Sequence, residues 1–205
     1  MSARVELFFD LSSPWTYLAF TNLWPVLECT AQQVTLRPIL VGGVFNAVNQ
    51  GVYAAREQSD NRKLQHSWKV LKDWAALADV AMNFPSQWHP AKSVNAMRFC
   101  CALEEDQAAL RRFAAAAFKS YFGAQENLDN PVVLAAVADS VGLDGTAIMA
   151  ASQTDAVKAC LRTNTEEVIA RGGYGSPTIF VDGTDMFFGN DQLPLVEAVL
   201  KRTPA

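Results

Sequence analysis

The 205-residue chain has four cysteines and no CxxC pair, and its two histidines, His66 and His89, are not spaced with Cys29, Cys100, Cys101 or Cys160 as metal ligands are. That excludes a CxxC redox motif, and no metal site, structural zinc included, is expected. It also has no Lys/Arg run, and 17 basic against 21 acidic side chains leave a net charge of −4, which argues against a nucleic-acid partner. No apolar stretch approaches the roughly 18 residues of a spanning helix, so no membrane partner is expected. The opening MSARVELFFDL lacks a basic region followed by a long apolar stretch and a small-residue cleavage site. The expected compartment is therefore the cytoplasm, where a disulfide framework is not expected. Internal repeats and low-complexity linkers are absent.

What is present is a core-forming composition, with 50% hydrophobic and 19% charged residues. Val5 to Phe9 is an apolar run of strand type, broken at Asp10. Ser13-Pro14-Trp15 then opens a helix, since serine is a preferred cap and proline is tolerated at the first helical position. Such a helix end carries free N–H groups and partial positive charge, and favours an anion. Pro25 interrupts the stripe Leu18, Phe20, Leu23, Trp24, Leu27 and is expected to kink the helix or end its first half. VTLRPIL, from Val34, reads as a second strand that Pro38 places at an edge or near its own end.

VGGVFNAVNQG, from Val41, reads as a loop or irregular turn. A polar segment around Ser59 to Lys63 follows. Helical patterns then cover Leu64 to Val80, Ser93 to Tyr121 with an unlocated break, Val132 to Val141, Asp144 to Ala151 and Thr154 to Arg171. MNFPSQWHP, from Met82, is a loop. Thr178 to Val181 and Asp185 to Phe188 form a hairpin across Asp182-Gly183, and Leu193 to Lys201 is a last helix. Cys100 and Cys101 are expected in or near the core.

Strand, helix, strand, a long helical stretch, then helix, hairpin and helix is the order of an α/β thioredoxin-like sheet with a large all-helical insertion. The expected division is 1–41 with 153–205 for the sheet domain and 42–152 for the insertion. In that fold the reactive centre lies at the start of the first helix, facing a loop with a cis proline. Here these parts are Ser13-Pro14 and Ser176-Pro177-Thr178. Ser13 stands where redox members carry a nucleophilic cysteine, so dithiol–disulfide exchange is excluded at this site. A serine nucleophile needs a base, and no Ser/His/Asp arrangement is evident. A thiolate brought by a ligand, held by the Ser13 hydroxyl and the helix end, fits better. Glutathione is the obvious cytosolic thiol.

FFDLSSPWTYLA, LVGGVFNA, KLQHSWKVLKDWA, FPSQWHPAKSVNAMR and GYGSPTIFVDGTDMFFGNDQL occur in this order. By these segments the sequence resembles 2-hydroxychromene-2-carboxylate isomerases and, more distantly, kappa-class glutathione transferases, over nearly the whole chain. The resemblance implies the DsbA-like, kappa-transferase architecture and glutathione as cofactor. It makes Ser13 the serine facing the glutathione sulfur, and Ser176 and Pro177 the segment pairing with the peptide backbone. Asn190 and Asp191 would hold the γ-glutamyl end, and Lys63 a carboxylate. It further implies a homodimer. Departures fall on the substrate side: Asn49-Gln50 where relatives have Gly-Asn, Lys92 before Ser93 in place of asparagine, and His66 and Val70 in place of Tyr and Asp.

The resulting expectation is a glutathione-dependent cis–trans isomerase of an aromatic unsaturated α-keto acid, working by reversible thiolate addition. His66, Lys69, Lys92 and Arg98 are candidates for the substrate carboxylate or enolate, and Trp88, with Phe45 and Trp68, for an aryl group. A kappa-like transferase is the first alternative. A non-catalytic glutathione- or peptide-binding module is the second, and a redox enzyme using Cys100-Cys101 the last.

Overall fold

A computed structural model describes residues 3–53 and 62–202. Of the polar segment expected from Ser59, residues 59–61 lie outside this set. The strands are β1 (Val5–Phe9), β2 (Val34–Pro38), β3 (Thr178–Val181) and β4 (Asp185–Phe188). They form one mixed sheet in the order β2-β1-β3-β4, with β2 parallel to β1 and the other neighbours antiparallel. Pro38 is the last residue of an edge strand, where its missing N–H leaves no gap in the ladder. The hairpin turns through Asp182 and Gly183, both at positive φ.

β1 is buried on both faces. Val5, Leu7 and Phe9 point to one side and join Tyr17, Phe20, Leu23 and Leu27 of α1 (Pro14–Thr30). This core continues without a break into α4 (Val94–Ala102), α5 (Gln107–Phe118), α6 (Pro131–Ser140) and α7 (Gly145–Ala151). Phe8 faces the other side with Ile39, Phe180, Val44 of α2 (Val41–Val48) and Val168 of α8 (Asp155–Ala170). α3 (Arg62–Leu77) packs Leu71 and Ala75 on Leu18 of α1, and α9 (Leu193–Leu200) closes the chain.

Two sequence expectations need correction. VGGVFNAV is a helix, α2, not a loop. Neither Gly42 nor Gly43 takes a positive φ, and a side chain at Gly43 would come within 3.2 Å of Thr165 Cγ2, so this glycine serves close approach of α2 to α8. Pro25 does not end α1, which runs unbroken to Thr30. The break in the middle helical stretch lies between Ala102 and Gln107, where Asp106 caps α5 by accepting from Ala109 N.

Glu6 is the polar exception on the Phe8 face, with its side chain 1% exposed. Burial alone would push its carboxyl up, but the Arg171 and Arg4 guanidiniums outweigh burial and hold it below its ordinary 4.5. Arg171 bonds Glu6 Oε2 at 2.8 Å while stacking on Phe180, 3.8 Å from the ring centroid. A depressed carboxyl contributes stability that is present above its ordinary value and lost as pH falls through its folded value. Glu6→Gln is therefore expected to cost about 2 kcal/mol at pH 7. The gap to the parent chain should narrow as pH falls below 4.5, as read by urea unfolding at each pH.

Candidate active site

The strand β1 ends in a carboxylate that cannot reach water. Asp10 is fully buried, and its oxygens accept from four donors on three segments. Ser12 gives its N–H at 2.9 Å and its hydroxyl at 2.8 Å to Oδ1. Val41 N, at the start of α2, and Ser93 Oγ, ahead of α4, bond Oδ2 at 2.8 and 2.9 Å. Burial pushes this carboxyl up, with the four donors opposing the shift. The turn from β1 to α1 is thereby pinned to the residue ahead of α4 on one side and to the start of α2 on the other.

From that turn Ser13 presents its hydroxyl. As the cap of α1 it accepts from Thr16 N at 3.2 Å, and it donates to the Ser176 carbonyl at 3.1 Å. The Ser176–Pro177 bond is cis. Ser176 Oγ accepts from Asp10 N at 2.9 Å and lies 2.7 Å from Thr16 Oγ1, so the loop before β3 is bonded to both ends of the β1–α1 turn. Pro14 brings no N–H, and the first turn of α1 contains no acidic residue of its own.

The Gly189-Asn190-Asp191 turn joins this group through Gly189 N, which donates to Pro177 O at 3.3 Å. Asn190 is buried and accepts from Asn22 of α1 at 2.8 Å, while its Nδ2 has no partner among the described residues. Asp191 is exposed beside it. Ser13, Ser176, Pro177, Asn190 and Asp191 thus converge on one end of the sheet.

The residues named for the substrate side are more dispersed. Lys63, His66 and Lys69 lie on the exposed face of α3, and Lys69 pairs with Asp73 one turn on. Trp88 is 42% exposed, and its Nε1 donates to Gln125 O. Lys92 is exposed next to Ser93, and so adjoins the Asp10 hub. Arg98 lines a cavity of about 350 Å³ between α4 and α8 whose lining includes none of Ser13, Ser176 or Asn190. Its Nε is buried without a partner among the described residues.

Sequence reasoning passed over Asp10, Ser12, Thr16, Asn22 and Ser93. Asp10 carried one available signal: an acid closing an apolar strand directly before a capped helix.

A scan against protein-family models matches residues 4–201 to the DSBA-like thioredoxin domain. The chain belongs to the DSBA-like thioredoxin family. Within this family it is 28% identical over 208 residues to a 2-hydroxychromene-2-carboxylate isomerase of Sphingobium xenophagum, covering 98% of this chain and 99% of that one. It is 27% identical to glutathione S-transferase kappa 1 of Rattus norvegicus, covering 96% and 90%. In fold it is similar to a solved 2-hydroxychromene-2-carboxylate isomerase, with a TM-score of 0.78 at 23% identity over 97% of this chain and 94% of that one. It is also similar to DsbA of Pseudomonas aeruginosa, with a TM-score of 0.61 at 15% identity over 98% and 83%. These relatives in sequence are named as an isomerase and a glutathione transferase, which supports an enzyme.

The hub makes a stability prediction. Asp10→Ala strands Val41 N and Ser93 Oγ in the interior and is expected to cost more than about 3 kcal/mol, against about 1 kcal/mol for Ser93→Ala. Denaturant midpoints at constant m measure both; equal losses would contradict the assignment of Asp10 as the shared acceptor.

Proposed function

We propose that the chain binds glutathione at the Ser13 end of α1 and uses its thiolate to isomerise a conjugated, aromatic α-keto acid. The observation that carries this reading is a serine hydroxyl, in place of a thiol, at a helix N-terminus facing a cis-proline loop. The bound thiol would take the place of the Ser176 carbonyl as acceptor of the Ser13 O–H. The start of the helix would add to that stabilisation and lower the thiol pKa. The ligand's peptide backbone would pair with Ser176 beside Pro177, as an added strand does. The unpartnered amide of Asn190 and the exposed carboxylate of Asp191 suit the γ-glutamyl group, whose ammonium needs an acid. Lys63 is assigned to a glutathione carboxylate.

In the reaction the thiolate forms a C–S bond at the β-carbon, and the π-electrons move onto the ketone oxygen as an enolate. The former double bond then rotates. Collapse of the enolate expels the thiolate and restores the double bond in the other geometry, so glutathione is not consumed. A cation facing the enolate oxygen lowers the barrier. Of His66, Lys69, Lys92 and Arg98, Lys92 is favoured because Ser93 fastens it to the carboxylate that also holds Ser12. Trp88 is assigned to the aryl group. A cytoplasmic homodimer completes the reading.

Incubation with glutathione and a trans-hydroxybenzylidenepyruvate is expected to give isomerisation with no loss of free thiol. A stable conjugate would instead assign kappa-like transferase chemistry, and no thiol binding by calorimetry would contradict both. Lys92→Ala is expected to lower kcat by roughly 10²-fold while leaving glutathione affinity unchanged.

A further inference from the structure

Two of the four cysteines meet where no linear motif announces them. Cys101 lies in the last turn of α4 and Cys160 on α8, 59 positions apart, and Glu104 follows in the turn after α4. One ligating atom from each, two sulfurs and a carboxylate oxygen, lie within 4.8 Å of one another, and both thiols are free. We propose that Cys101, Glu104 and Cys160 form a binding site for a thiophilic divalent cation of the zinc type. This assignment is independent of the glutathione reading.

Tetrahedral zinc with bonds near 2.3 Å to sulfur and 2.0 Å to oxygen sets its ligands about 3.8 Å apart for two sulfurs and about 3.5 Å for sulfur and oxygen. The sulfurs therefore need to close by no more than about 1 Å. Cys160 Sγ, now donating to Glu104 Oε2 at 2.7 Å, opens by a similar amount once its proton is gone. The donor set selects the metal: two thiolates exclude magnesium and calcium, which take oxygen ligands.

The carboxylate is already oriented from behind. Asn164 Nδ2 lies 3.0 and 2.8 Å from the two Glu104 oxygens, and Arg37 Nε is 3.3 Å from Oε1. Outer partners of this kind fix a ligating group in place. Charge also balances. Glu104, Glu167 and Glu6 are matched by Arg37, Arg171 and Arg4 in one connected network. Binding exchanges the two thiol protons, released to solvent, for one divalent cation, and the net charge is unchanged. Cys101 is 7% exposed and Cys160 half-buried, so the site has an inner wall and a path to water for a fourth ligand. An ion here would clip α4 to α8 at the β2 edge, where Asn164 Nδ2 also reaches Pro38 O at 3.1 Å.

The test is a titration of the reduced full chain with Co²⁺, without glutathione, followed by competition with Zn²⁺. One Co²⁺ per chain with a thiolate-to-cobalt charge-transfer band in the near ultraviolet, bleached by Zn²⁺, is the expected result. Cys160→Ser should abolish the band, Glu104→Gln should weaken Co²⁺ binding roughly tenfold or more, and Cys29→Ser, at an exposed cysteine, should change nothing. Circular dichroism establishes that each variant is folded, and Glu104→Gln decides the matter if Cys160→Ser is not. A parent chain with no band, a band lost in Cys29→Ser, or reduced protein that forms a Cys101–Cys160 disulfide and takes up no metal would overturn the proposal.

Discussion

The carboxylate of Asp10 is the constraint on which the site depends. It sits at the end of a strand buried on both faces, where an unsatisfied charge would not survive. Its oxygens are met by Ser12, Val41 and Ser93. These bonds fix three things at once: the turn that presents Ser13, the start of α2, and the approach of the chain into α4. Without that acceptor, Ser13 would still cap a helix, but its position against Ser176 would no longer be set from both sides. The cap and the ligand-facing role are compatible, because the hydroxyl oxygen accepts from Thr16 N while its proton, given to the Ser176 carbonyl, is left to be turned to a ligand without breaking the cap.

A second, larger network holds the opposite face. Glu6, Arg171, Glu167, Arg37 and Glu104 run as an alternating chain of charges from the centre of the sheet past β2 to the turn after α4. Phe8 and Phe180 lie under the guanidiniums, so cations that would be costly to bury alone are paired and stacked. The two networks divide the work: one pins the Ser13 turn, the other ties the turn after α4 to the sheet through α8.

The elements closest to local chemistry were the ones readable in the sequence. Val5 to Phe9, Ser13-Pro14 and the hairpin at Asp182-Gly183 act within a few residues of themselves, and the pattern carries them. The thioredoxin order follows from them. What the pattern did not carry depends on distant partners. Two adjacent glycines gave α2 the look of a loop, whereas Gly43 answers to Thr165 on a helix over a hundred residues away. Ser93 looked like a helix start but gives its hydroxyl to Asp10. Cys101 and Cys160 have no spacing to read, and only the packing of α4 on α8 brings them together.

The central claim is that the reactive atom belongs to a ligand, held as thiolate by Ser13 at the start of α1. Its most direct measurement is an ultraviolet difference titration of the thiolate of bound glutathione, in the parent chain and in Ser13→Ala, with binding of both confirmed by calorimetry. The account predicts a bound thiol ionised well below its free value of about 8.5 in the parent chain, and a clear rise in Ser13→Ala. A bound thiol that titrates identically in the two proteins would contradict it.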